Sequence, residues 1–244
     1  MNFLKAQTRI LLLAVACQLT SCIDSREEFW LEANGKGRAE ITYSLPAAAA
    51  RVQGGESEIR EMITGFLKNT PAISASSHEV TTEGDRTRVK VRISFDSALD
   101  LMDAASGPAM RHLPSAASHL AGQVDAKFRG RTLDFTRTIS PGRALPGSAF
   151  LPDSQFEGRR LVTVLHLPAP ATESNATRVE NGGRTLVWDM PLAIAVRAPI
   201  TTRFKVEIPI PWAFVSAIAL PLPLAAGFVI FRILKSRNRR NTTI

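Results

Sequence analysis

Leu19-Thr20-Ser21-Cys22 is the stretch whose residue types invite a covalent modification. Thr20 and Ser21 are small enough for a protease to reach the backbone, and the Cys22 thiol is a nucleophile open to alkylation. A second candidate is the row Arg88, Lys90 and Arg92, cations about 7 Å apart on one side of an alternating stretch. Such a row can contact lipid headgroup phosphates, or form a solvated face balanced by acids on the neighbouring strand. His112 and His119 stand seven apart, but Pro114 interrupts any helix that would align them and no third ligand follows at a metal-like spacing. They read as scattered histidines. Gly-x-Ser-x-Gly, HExxH, a phosphate loop and Ser-x-x-Lys are all missing from the sequence. Tyr43, the four histidines and the carboxylates offer no nucleophile and base pair, so the chain reads as non-enzymatic, with no cofactor called for.

Ahead of Cys22, Lys5 and Arg9 precede an apolar run, Ile10 to Cys17, that is too short to span a bilayer stably. A basic start, an apolar middle and a Cys after small residues resemble the lipobox of bacterial lipoproteins. That resemblance implies removal of residues 1–21 and lipid on Cys22 as the first mature residue. Cys17 then leaves with the leader, no disulfide is available, and the body must hold together by burying a core.

Near the other end, Trp212 to Phe231 are 20 uncharged residues, which as a helix rising about 1.5 Å per residue match a hydrocarbon core of about 30 Å. Residues 210–232 therefore read as a transmembrane helix and 233–244 as a basic tail carrying Lys235, Arg237, Arg239 and Arg240. The positive-inside rule puts that tail in the cytoplasm and the body outside the plasma membrane. Pro221 and Pro223 leave carbonyls that a membrane-protein partner helix can engage.

The net charge of +8 belongs to those ends. Between Cys22 and Glu207 there are 23 Lys or Arg against 22 Asp or Glu, a net of +1, which argues against a nucleic-acid partner. The single Tyr and scarce aromatics supply no stacking platform either.

Alternation organises the body. Phe29, Leu31 and Ala33 lead into the turn Asn34-Gly35-Lys36-Gly37, where Asn-Gly suits a type I′ turn, and Ala39, Ile41, Tyr43 and Leu45 lead out of it. After an Ala-rich link, Ser57 to Lys68 puts Ile59, Met62, Ile63, Phe66 and Leu67 on one helical face. A second hairpin turns at Glu83-Gly84-Asp85 and returns through Val89, Val91, Ile93 and Phe95. Ser97 caps a helix containing Leu99, Leu101 and Met102. Ala104 to Gln123 are rich in Ala, Ser, Gly and Pro, which reads as a loose helix pair or a linker and puts a candidate subdivision of the body near 104–126. Strands follow at Phe128 to Ile139, Leu161 to Leu167, Arg184 to Met190 and Thr201 to Ile208, with Trp188 as a core plug.

The lipobox, the strand and glycine turn Leu31 to Gly37, Ser174-Asn175 before Asn181-Gly182-Gly183 and the Trp188 strand, and a final apolar segment with a basic tail resemble LppM-type bacterial envelope lipoproteins. The resemblance covers most of the chain in architecture and only those patches in residues. It implies an extracytoplasmic α+β domain on a membrane tether and carries over no functional residue.

The expected fold is thus α+β: a mostly antiparallel sheet with two or three helices packed on it in residues 22–207, plus one C-terminal transmembrane helix. Membrane lipid is the expected partner. A binding module for a lipid or apolar ligand requires a deep apolar groove, a scaffold requires a solid core with an exposed apolar patch, and a hydrolase requires a polar cleft of titratable groups. Two short tethers also predict that the start of the first strand and the end of the last share one end of the domain, as antiparallel neighbours in one sheet.

Overall fold

The first hairpin forms where alternation puts it, from β1 (Asp24–Leu31) to β2 (Gly37–Pro46). Gly35 takes a φ of +85°, while Asn34 accepts the Lys36 N–H through Oδ1 at 2.9 Å. The loop is therefore a wider turn, closed by Glu32 N–H on Lys36 O at 2.8 Å, and not a type I′ turn. Gly37 permits a close approach: a Cβ there would stand 2.3 Å from Trp30 O and 2.6 Å from the ring of Phe95, its cross-strand partner.

The Ala-rich link is itself a short helix, α1 (Ala47–Val52), followed by the expected amphipathic helix α2 (Gly55–Lys68). The second hairpin joins β3 (Ala75–Glu83) to β4 (Arg86–Phe95) through Gly84 at φ +60°. Ser97 Oγ accepts the Asp100 N–H at 3.2 Å and caps α3 (Ala98–Ser106). Then come α4 (Ser115–Ala121), β5 (Gln123–Arg129), β6 (Thr132–Ile139), α5 (Pro141–Ala144), β7 (Arg160–His166), β8 (Ala171–Ser174), β9 (Arg178–Glu180), β10 (Thr185–Pro191), α6 (Leu192–Ala195) and β11 (Ile200–Glu207). The computed structural model describes residues 23–208 apart from 53, 107–114 and 146. Cys22, the 1–21 leader, His112, the 210–232 segment and the 233–244 tail lie outside the described residues.

The chain is α+β, but its sheet and helix content corrects the expectation. A seven-stranded mixed sheet runs in the order β3-β4-β2-β1-β7-β10-β9, and a four-stranded antiparallel sheet runs β5-β6-β11-β8. Six α-helices are present among the described residues, two of them only four residues long, too short to show a helical period. Parallel pairing of β1 with β7, Glu27 opposite Thr163 and Phe29 opposite Leu165, makes the large sheet mixed. Alternation identifies such strands without specifying their neighbours. No helix among the described residues is long and apolar enough to cross a membrane, so the transmembrane element of the expected fold is unsupported.

Sheet pairing separates the two faces. Odd-numbered residues of β1, β2, β4 and β7 face inward, and Trp188 on β10 joins them opposite Thr163. The second sheet covers part of that face, so that Phe204, Val206 and Leu133 pack with Leu165, Leu186 and Trp188. Trp188 is buried as expected, and its Nε1–H is held by Asn175 Oδ1 at 2.8 Å.

The shared-end expectation is corrected too. Ile23 packs in a cluster with Leu161, Leu192 and Ile200, whereas Phe29 and Leu31 pack with Phe204, Val206 and Ile208. β1 and β11 therefore point the same way, and the entry of the first strand stands roughly a strand length, about 26 Å, from the exit of the last. They belong to stacked sheets and are not hydrogen-bonded neighbours.

Candidate functional site

Three apolar clusters support the fold, and they do not merge. One holds Ala50, Ile59, Val80 and Val89; a second holds Leu165, Trp188 and Phe204; the third holds Phe156, Leu161, Leu192 and Ile200. Between the large sheet, the helices and the inner face of the small sheet lies a cavity of about 490 Å³. That volume falls within the roughly 300–1,000 Å³ of small-molecule sites.

Its walls follow from the sequence periods. Period 2 brings Phe29, Leu31, Ile41, Leu45 and Ile93 to the inner face of the sheet, and period 3.6 brings Ile59, Met62 and Phe66 to the facing side of α2. Leu101 and Met102 of α3 and Phe135 and Phe204 of the small sheet complete the lining. Hydrocarbon side chains make up nearly the whole lining.

Polarity is concentrated in one wall. Glu27 has the same inward parity as Phe29 and Leu31, and Arg137 the same parity as Leu133 and Phe135, so both enter the interior. They form a bidentate pair, Arg137 Nη1 to Glu27 Oε2 at 2.5 Å and Nη2 to Oε1 at 3.2 Å. The Tyr43 hydroxyl donates to Glu27 Oε1 at 2.8 Å. Arg137 also donates from Nε to Ala121 O at 2.8 Å and from Nη2 to Leu120 O at 3.0 Å, holding the last carbonyls of α4.

The electrostatics agree on an ionised pair. Burial alone would raise the Glu27 carboxyl, but the Arg137 charge and hydrogen bonds from Arg137, Tyr43 and Thr163 outweigh it and hold the group below its ordinary value. Burial alone would lower Arg137, yet Glu27 raises it. Burial and then the Glu27 charge push the Tyr43 hydroxyl well above its ordinary value, so it stays a neutral donor.

The residues singled out in the sequence lie elsewhere. Arg88, Lys90 and Arg92 occupy the outer face of β4, away from the cavity; Glu40 on neighbouring β2 engages Lys90 at 2.7 Å and Arg92 at 3.0 Å. One acid thus pairs with two of the three cations. Cys22 lies outside the described residues, and the adjacent Ile23 packs into the cluster around Leu161 and Ile200. His119 accepts the Ser140 N–H through its backbone carbonyl at 3.1 Å. Among the described residues no group of three or more His, Cys, Asp or Glu could hold a metal ion.

Sequence reading missed Glu27 and Arg137. The signal was present: carrying the Leu31, Phe29 alternation back two residues puts Glu27 inside, and carrying Leu133, Phe135 forward two puts Arg137 inside.

No family model matches the sequence, and no curated protein gives a significant match. Among solved structures, the chain is similar to the folded domain of Mycobacterium tuberculosis LppM determined by NMR. Identity is 12%, coverage 78% of this chain and 91% of that chain, and the TM-score 0.48. It is also similar to the Danio rerio Fcho1 mu homology domain with bound Eps15 peptide, at 12% identity, 80% and 82% coverage and a TM-score of 0.25. The resemblance to LppM read from the sequence thus recurs at the level of architecture, and weakly.

Proposed function

We propose that this chain is a bacterial envelope lipoprotein, anchored through lipid on Cys22, whose domain binds a lipid or other apolar molecule without transforming it. The observation that carries this reading is the cavity of about 490 Å³, walled by hydrocarbon from both sheets and from α2 and α3. An apolar lining of that extent offers poor partners to water, and an apolar ligand would bury it and gain dispersion contacts. The scaffold reading gains less support: Val52, Leu99, Phe128, Phe150, Val179 and Ile194 are exposed but come from six separate segments of the chain. A hydrolase would use a nucleophile and base, whereas Glu27, Arg137 and Tyr43 are engaged with one another.

Anchoring at Cys22 would turn the Ile23 end toward the bilayer. Phe150, 93% exposed, and Ile194, 58% exposed, adjoin Leu151, Leu192 and Ala195 of the cluster at that end, in keeping with contact to lipid.

The test is mass spectrometry of organic extracts of the full chain purified in mild detergent. One lipid or apolar species in near-stoichiometric yield is the expected result. An extract that merely reproduces bulk membrane composition would contradict the reading.

A further inference from the structure

We propose that the cavity selects an uncharged amphiphile, whose hydroxyl, ester or amide group meets Glu27, Arg137 and Tyr43 while its hydrocarbon fills the remaining space. This rests on the proposed binding of an apolar ligand and adds the class of headgroup.

The polar wall is balanced in charge before any ligand arrives. Glu27 accepts from Arg137 through both oxygens and from Tyr43 through Oε1, so its charge is matched in place. Of the five N–H donors of a guanidinium, Arg137 directs one to Glu27 Oε2, one to Glu27 Oε1, one to Leu120 O and one to Ala121 O. One Nη1–H is without a partner among the described residues, and the Tyr43 oxygen, whose hydroxyl donates to the other carboxylate oxygen, keeps acceptor capacity of its own. A donor and an acceptor with no net charge suit a group that is itself neutral and can both accept and donate.

Charged headgroups fare badly for a symmetrical reason. A ligand carboxylate drawn to Arg137 would also meet Glu27, which shares the same guanidinium at 2.5 and 3.2 Å. Attraction and repulsion would largely cancel, leaving the loss of the ligand's own hydration uncompensated. An ammonium meets the same balance with signs reversed. Had Arg137 faced the cavity without Glu27, the expected ligand would be an anion. The carboxylate at position 27 is the residue that changes the specificity.

Ligand competition on the full chain, stripped of lipid and held in mild detergent, tests this. The probe is an uncharged pyrene-labelled fatty alcohol, and the competitors are hexadecanol, hexadecanoate and hexadecylamine at about pH 8, where carboxyl and amine are both charged. Hexadecanol should displace the probe at a concentration at least about tenfold below either charged analogue, a difference of about 1.4 kcal/mol. In Glu27→Gln, which leaves the Arg137 charge unmatched, hexadecanoate should gain at least about tenfold. If hexadecanoate or hexadecylamine matches hexadecanol in the native chain, the headgroup inference is overturned while the binding reading stands. If the probe does not bind at all, the binding reading itself fails. An unchanged ranking in folded Glu27→Gln would overturn the role given to this cluster, and should that variant fail to fold, the ranking in the native chain decides alone.

Discussion

Arg137→Met should destabilise the domain by about 3–5 kcal/mol, because it leaves Glu27 as an unmatched buried carboxylate. Adding Glu27→Leu should restore part of the loss, giving a coupling of about 2–3 kcal/mol in a double-mutant cycle. Recovery stays incomplete because the Leu120 and Ala121 carbonyls have lost their donor as well. Urea unfolding followed by tryptophan fluorescence measures both quantities. Equal and additive losses would show that the two side chains do not act as a pair.

The same pair sets an acid limit. Glu27 sits below its ordinary value of 4.5 in the folded chain, so its contribution is fully present above that value and is lost as pH falls through the lower folded one. Stability should therefore drop on acidification below about pH 4.5, and the drop should be smaller in the Arg137→Met/Glu27→Leu chain.

Filling the cavity should abolish binding without unfolding the protein. Met62 on α2 and Leu101 on α3 both line the space, and Met62→Trp/Leu101→Trp adds two indole rings to it. Tryptophan in an already filled core costs about 1–3 kcal/mol, whereas here the added rings replace empty volume and gain contacts. The double variant should keep its melting temperature within a few degrees, a shift worth about 1 kcal/mol, while affinity for the uncharged probe falls at least about a hundredfold. Unchanged affinity in a folded variant would locate the ligand elsewhere.

The local half of this fold was legible, and its reason is periodicity. Val89, Val91, Ile93 and Phe95 alternate with Arg88, Lys90 and Arg92, and the strand they describe is β4 with the inner and outer faces expected. Ile59, Met62 and Phe66 at helical spacing gave the wall of α2, and Ser97 gave the start of α3. Long-range pairing carries no such local mark. Nothing near Glu27 encodes Thr163 as its parallel neighbour, and nothing near Arg137 encodes Glu27, 110 positions away, as its partner. The second sheet escaped for the same reason: β11 alternates as clearly as β4, but alternation does not reveal which sheet a strand joins. The cavity was legible only as a condition. Apolar faces on α2, on the sheet and on β11 were visible, yet whether they meet or leave a space between them depends on helix placement.

Photocrosslinking tests most directly whether a ligand occupies that space. A fatty alcohol carrying a mid-chain diazirine, irradiated with the full chain and mapped by peptide mass spectrometry, should mark the segments bearing Met62 and Phe66 and those bearing Leu101 and Met102, which line the cavity. Those adducts should disappear in Met62→Trp/Leu101→Trp. Adducts confined to exposed positions such as Phe150 and Val179, or adducts on α2 and α3 that persist in the blocked variant, would contradict binding inside the cavity.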